Sequence, residues 1–361
     1  MRTGEVPSRR GALRLLVAVS GAGVVGATWP APAQSRIAAK PFPNGVTVLA
    51  ASTPNGPMDA WAALLLPALG HCLSAATRVR EETAIGNDGI TGANQFAARI
   101  VPDGTTALLV PGSAATAWLL GDPRVHFDVA RWVPVLAGIT ASVVVGKVKQ
   151  AHLLGRRPLR IAIGEKVDPD LPALLALDLL GCPVSPVFGP GDPALGRAAL
   201  SKGSVDLLYL HGEDVPQRMR ALGVEGAAPL FSMGALDATG QRTRDPLLPN
   251  VPCFHEISLR LKRSLPQGPL ARAWSSAAAA GSLNFALVLP NLAPASIIGL
   301  WRSVGAQLTR APAVRALSDA AAVHIEACPE ANVTTRAVAA DPTALLALRA
   351  WVAKRYGLHR G

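Results

Sequence analysis

Aromatic side chains make up only 4% of the 361 residues, and charged ones only 16%. A nucleic-acid surface clusters basic residues and interleaves them with aromatics. Here the basic residues are scattered, with no run beyond pairs such as Arg156-Arg157. The excess reads as a basic surface attractive to anions in general, and nucleic acid is not expected as a partner. The four cysteines, Cys72, Cys182, Cys253 and Cys328, form no C-x-x-C pair, so zinc and dithiol redox motifs are missing. One disulfide in an oxidising compartment and four free thiols both fit that spacing. There is no G-x-S-x-G elbow for a hydrolase and no H-E-x-x-H for a metalloenzyme. The nearest metal-like groupings, His211-Gly212-Glu213-Asp214 and Cys253-Phe254-His255-Glu256, read as loop or capping residues. Catalytic residues, metals and cofactors are therefore not expected.

Against those absences stands a hydrophobic fraction of 50%, enough for sizeable cores and two domains. Residues 1–33 read as an export leader. Arg2, Arg9, Arg10 and Arg14 charge its front, Leu15 to Ala27 is apolar, and Ala31-Pro32-Ala33 is a small-x-small cleavage site. The apolar run is shorter than the roughly 20 residues of a spanning helix. Ser8-Arg9-Arg10 resembles part of a twin-arginine signal, and ordinary Sec export also fits. The leader's four arginines and one glutamate carry +3 of the +11 formal charge, leaving +8 on the mature chain. The expected location is the periplasm.

The mature chain alternates. Val46 to Ala51 reads as a strand, Asp59 to Leu69 as a helix, Thr77 to Arg80 as a weak strand, Ala93 to Ile100 as a helix, Thr106 to Val110 as a strand and Ala114 to Leu120 as a helix. A second set begins at Val143 to Val148. Its strands are Arg160 to Ile163, Val184 to Phe188 and Val205 to Leu210, with helices at Leu171 to Leu180 and Pro193 to Ser201. The last hundred residues read as helices, at Pro294 to Leu308, Ala313 to Ala321 and Pro342 to Tyr356. This βαβ rhythm predicts an α/β chain of two domains, each a mainly parallel sheet flanked by helices. Domain I is expected over 34–142 and 256–361, and domain II over 143–255.

In such sheets ligands sit at the carboxyl ends of the strands. Three loops there share a pattern: Ser52-Thr53-Pro54-Asn55-Gly56-Pro57-Met58-Asp59, then Gly86-Asn87-Asp88-Gly89-Ile90-Thr91-Gly92, then Pro111-Gly112-Ser113-Ala114-Ala115-Thr116. Each delivers the chain into a helix, whose first N–H groups lack partners and face the positive end of the macrodipole. Glycine clears an approach for a carboxylate or phosphate, and Ser52, Thr53, Ser113 and Thr116 add hydroxyls.

These segments, with "HFDVARWVPVLAGI", "SKGSVDLLY" and "DPLLPNVPCFHEI", resemble the substrate-binding proteins of tripartite tricarboxylate transporters, the TctC or Bug family. The resemblance implies a periplasmic binding protein of the Venus-flytrap, type II-like kind, closing two α/β domains on a small carboxylate. Gly56 and Asp59 match its first loop, Gly86, Gly89 and Gly92 its glycine loop, Gly112 and Ser113 its third, and Asp206 its small-Gly-x-Val-Asp segment. The expected binding set is Ser52, Thr53, Asn55, Gly56, Asp59, Asn87, Gly89, Gly112, Ser113, Thr116, Lys166 and Asp206, with Asp59 ordering the loop rather than facing an anion. The family's partners would be transporter membrane subunits, and a membrane sensor is the alternative; an exported hydrolase is the remaining reading, and a monomer is expected. The chain departs from the family at Ala51-Ser52, where Pro-Phe is usual, at Thr83 and Asp88, and over Ala162 to Asp170 and Phe188 to Gly191. Those departures imply a changed ligand or a lost one; Lys166 either meets a second carboxylate or is paired with Glu165, Asp168 or Asp170, or solvated.

Overall fold

The computed structural model describes residues 42, 44–53, 56–73, 77–86, 88–262 and 264–357. The expected leader, Asn55 and Asn87 lie outside the described residues. Along the chain run β1 (Val46–Ala50), α1 (Pro57–Leu73), β2 (Val79–Thr83), α2 (Ile90–Arg99), β3 (Thr106–Pro111), α3 (Gly112–Leu120), β4 (Trp132–Thr140), β5 (Val143–Gly146), β6 (Leu159–Ile163), α4 (Leu171–Leu180), β7 (Val184–Phe188) and α5 (Pro193–Ser201). They are followed by β8 (Leu207–Leu210), α6 (Val215–Val224), β9 (Ala228–Ser232), a short hairpin β10 (Ala235–Leu236) and β11 (Arg242–Thr243), α7 (Phe254–Lys262), α8 (Pro269–Ser282), β12 (Leu283–Pro290), α9 (Ala295–Leu308), α10 (Pro312–Ala321), β13 (Val323–Ala327), α11 (Glu330–Val338) and α12 (Pro342–Tyr356).

The first sheet has the order β13-β4-β12-β3-β1-β2 and the second β7-β6-β8-β5-β9. Both are mixed. β1 pairs parallel with β2 and β3, whereas β12 runs antiparallel to β3 and β4, and β13 antiparallel to β4. In the second sheet β6 pairs parallel with β7 and β8, and β5 antiparallel with β8 and β9. The expectation of mainly parallel sheets holds only for these three-strand portions. The helical reading of the last hundred residues also needs correction, because β12 lies there, in the middle of the first sheet, and β13 at its edge.

Burial follows from local sequence. α4, LPALLALDLL, is apolar all round, and a helix of that kind must be covered on every side. Leu171, Leu174, Leu175, Leu177 and Leu180 are fully buried. Its one charge, Asp178, accepts a hydrogen bond from Trp351 Nε1 at 2.9 Å and pairs with Arg355, both on α12. α8 is built from Ala and Ser where it meets α3, α4, α11 and α12, so backbones approach closely. A Cβ on its Gly281 would stand 2.9 Å from the Pro172 ring of α4. One continuous hydrophobic core therefore runs from Leu108 and Leu119 beside the first sheet, through Ala277 to Ala280, to Leu174 and Ile161 of the second. Two further cores cover the outer faces, one around Trp61, Phe285 and Trp301, the other around Leu200, Leu208 and Leu222. The four cysteines are free thiols.

Candidate functional site

The carboxyl ends of β1, β3, β6 and β8 converge on one cavity of about 440 Å³, whose wall also takes the end of β4 and the α8–β12 junction. That volume suits a small ligand. From the first sheet come Ser52, Thr53, Gly56, Asp88, Gly112, Ser113 and Thr116; from the second come Lys166, Asp168, His211 and Gly212. Met58, Ala117, Pro169 and Leu283 supply apolar wall. Seven of the expected residues are thus brought together: Ser52, Thr53, Gly56, Gly112, Ser113, Thr116 and Lys166.

Others stand elsewhere. Asp59 is not among the lining residues and accepts a hydrogen bond from Ser52 Oγ at 2.7 Å. Gly89 does not line the cavity. It takes φ 76°, a left-handed conformation that favours glycine, and a Cβ there would stand 2.7 Å from the Pro111 ring. Asp206 lies at the amino end of β8, away from the cavity. Its carboxylate accepts from the Arg160 backbone N–H at 2.9 Å, Nε at 3.1 Å and Nη2 at 3.0 Å, and these bonds lower its pKa.

The hydroxyls are less available than the sequence suggests. Ser52 Oγ donates to Asp59, Ser113 Oγ to the Asp88 carbonyl at 3.1 Å, and Thr116 Oγ1 to the Gly112 carbonyl at 3.3 Å. A hydroxyl has one proton, so these three retain only acceptor capacity while those bonds stand. Among the described residues of this wall, donors remain at the first N–H groups of α3, which no side chain caps, and at Thr53. Gly112 is required for another reason too. Its missing Cβ would stand 2.3 Å from the Leu283 carbonyl oxygen and 2.5 Å from that of Ala280. The bare backbone lets α3 start directly against the α8–β12 junction.

Charge is distributed unevenly around the rim. Arg124 is neutralised by Asp88 and Asp122, each at 2.8 Å. Lys166 is exposed, and among the described residues it makes no ion pair. His211 stacks on Tyr209 with ring centroids 5.2 Å apart. Burial, reinforced by the neighbouring Arg218 guanidinium, pushes its imidazole down to about 4, so near neutral pH it faces the cavity uncharged. Asp170, which accepts from the Gly164 N–H at 3.1 Å and so shapes the loop after β6, is pushed up to about 7 by burial.

Sequence reasoning missed His211, Gly281, Leu283, Asn284 and the Arg124 network. The strand-end rule that selected the other loops would have selected His211, which directly follows the Val205 to Leu210 strand. Asn284 had no such signal, because its strand went unread.

No family model and no curated relative matches the sequence. Solved structures do. A TctC solute-binding protein from Polaromonas, solved without ligand, is 13% identical and superimposes over 87% of this chain and 99% of its own with a TM-score of 0.65. MatC from Rhodopseudomonas palustris, solved with malate, is 19% identical over 86% of this chain and 100% of its own, with a TM-score of 0.50. A second R. palustris protein, solved with adipate, is 17% identical over 88% and 98%, with a TM-score of 0.51. The chain has the two-lobed α/β fold of the TctC-type solute-binding proteins.

Proposed function

We propose that this chain is a periplasmic solute-binding protein that captures a small carboxylate between its two lobes and hands it, unchanged, to the membrane subunits of a tripartite transporter. The observation that carries this reading is the shared cavity. Both sheets aim strand ends at it, one wall offers helix N–H groups that no side chain caps, and the facing wall carries Lys166, which makes no ion pair among the described residues. The malate and adipate held by similarly folded proteins agree with that chemistry. The lobe boundaries we propose are a crossing at Ala141-Ser142 and a return after Lys262 rather than at 256, because α7 packs on α4 and β9.

One carboxylate is held by the α3 N-terminus with Thr53, where partial positive charge and orphan N–H groups coincide. Lys166 meets a second carboxylate from the other lobe. A thermal-shift panel of mono-, di- and tricarboxylates on residues 34–361 tests the reading, since a ligand at 100 times its Kd adds about 2.7 kcal/mol of stability. Lys166→Ala should weaken a dicarboxylate about fivefold more than its monocarboxylate analogue, the scale of a solvent-accessible ion pair. Equal losses for both acids would remove Lys166 from the site, and turnover of any panel member would overturn the binding-protein reading.

A further inference from the structure

The β8–α6 loop reaches from the second sheet to the first. The Asp214 N–H donates to the Ala321 carbonyl at 2.9 Å, and Arg218 Nη2 braces the His211 carbonyl from behind. Between them Glu213 Oε1 accepts two hydrogen bonds, from Trp61 Nε1 at 2.9 Å and from Asn284 Nδ2 at 2.8 Å. Trp61 is a buried residue of the first lobe, and Asn284 lines the cavity.

These bonds decide which way the Asn284 amide points. An indole N–H can only donate and a carboxylate oxygen can only accept, so Glu213 must draw the NH2 end of the amide and never the carbonyl end. Oδ1 is left over. It bonds to no described protein group, and it is not among the buried atoms sealed away from solvent. Of the Asn284 amide, which lines the cavity, the group left without a protein partner among the described residues is therefore an acceptor, held in place by a carboxylate in the other lobe. An acceptor repels a ligand carboxylate and welcomes a hydroxyl or an ammonium.

We propose that Glu213 is a positioning residue that fixes Asn284 as the cavity's hydrogen-bond acceptor, and that the cavity thereby selects carboxylates bearing a hydroxyl or amino group over their unsubstituted analogues. The proposal rests on the carboxylate-binding reading and deepens it. The His211 ring, on the cavity wall that the second sheet supplies, is compatible with either substituent, because an uncharged imidazole has both a donor and an acceptor nitrogen.

Calorimetric titration of matched pairs tests it: malate against succinate, aspartate against succinate, and 2-hydroxyglutarate against glutarate, using both enantiomers of each substituted acid. In the parent protein at least one substituted acid should bind about three- to tenfold tighter than its analogue, the scale of one neutral hydrogen bond. Glu213→Ala frees the amide to rotate, and the ratio should fall below twofold. Glu213→Gln keeps an acceptor oxygen at the same place and should restore the ratio. Asn284→Leu removes the acceptor without touching Glu213 and should also abolish it, which keeps the test decisive if Glu213→Ala folds poorly. A purely structural Glu213 would weaken both members of a pair by the same factor, and that constant ratio would overturn the proposal. So would a parent protein that binds both members equally while still binding carboxylates. Absence of binding by every acid tested would instead defeat the carboxylate reading itself, and this inference with it.

Discussion

Gly112→Ala puts a methyl group where the structure has no room. The added Cβ would stand 2.3 Å from the Leu283 carbonyl oxygen, 2.5 Å from the Ala280 carbonyl oxygen and 2.9 Å from Leu283 Cβ. Two of these neighbours are backbone, one at the end of α8 and one at the start of β12, so no rotamer change relieves the contact. Either α3 shifts or the α8–β12 junction does. Overpacking costs about 1–3 kcal/mol when side chains can adjust, and a clash with two carbonyls belongs at the upper end, about 3 kcal/mol. At roughly 2–4 °C per kcal/mol for a large domain, the melting temperature should fall by about 6–12 °C. The natural control is Gly299→Ala. Gly299 is an exposed residue within α9 with nothing inside 4 Å of its notional Cβ, and its replacement should stabilise by about 0.5–1 kcal/mol through helix propensity and unfolded-state entropy. Urea unfolding with a common m-value compares all three proteins. A Gly112→Ala protein within about 0.5 kcal/mol of its parent, the ordinary range of a surface change, would refute the assignment of Gly112 to packing.

The remaining expectations concern the neighbouring loop and pH. Gly89→Val should destabilise by about 2 kcal/mol or more, combining a left-handed backbone that suits glycine with a Cβ 2.7 Å from the Pro111 ring, whereas an unchanged unfolding midpoint would show that the loop adapts freely. Asp170 titrates at about 7 folded against an ordinary 3.8, so the folded chain binds more protons between those values and stability falls as pH rises through that window, by about 4 kcal/mol in full. His211 titrates at about 4 folded against an ordinary 6.5, so it contributes stability present above 6.5 that is lost as pH falls through 4. The two slopes oppose one another below pH 6.5. Relative to the parent, Asp170→Asn should remove a falling contribution and His211→Gln a rising one; denaturant midpoints from pH 4.5 to 8 that shift alike in both variants would contradict this assignment.

Much of the first half was legible because its strands are short apolar runs punctuated by glycine and proline. β1, β3, α4 and α5 stand within a residue or two of their sequence readings. β2 is displaced, to Val79–Thr83, because it is an exposed edge strand, VREET, with no buried alternation to read; its register is set by pairing with β1. β4 contains Pro134, which argues against a central strand on local grounds, yet it pairs on both sides, with β12 and β13. β12 follows an alanine-rich helix without a turn signal, so nothing local announces the change of period. Of the cavity's lining, Lys166 stands out by its departure from the resembled family, whereas the first and third loops could be found from strand-end logic. The Glu213–Asn284 contact could not, since it joins residues 71 positions apart and depends on how two sheets face each other.

The Ala277 to Ala280 tract, which reads as low complexity, lies in the core that the two sheets share. Small residues let α8 press against α3, α11 and α12 on one side and α4 on the other, so the two lobes share a core along that edge. The Ala141-Ser142 crossing is buried beside it. Separating the lobes there would expose leucines of α4 that are fully buried, at about 2 kcal/mol each. At the β8–α6 loop the contacts between lobes are polar, the two bonds to Glu213 and the Asp214 to Ala321 bond. Hydrogen bonds can be exchanged for water at about 1 kcal/mol each, whereas buried leucines cannot. If the lobes open as the proposed function requires, parting the β8–α6 loop from Trp61, Asn284 and Ala321 would leave the buried leucines of α4 covered. On the proposed function, the loop that carries Glu213 would then also be the one that parts to admit a ligand, which would tie the proposed selectivity and closure to the same carboxylate.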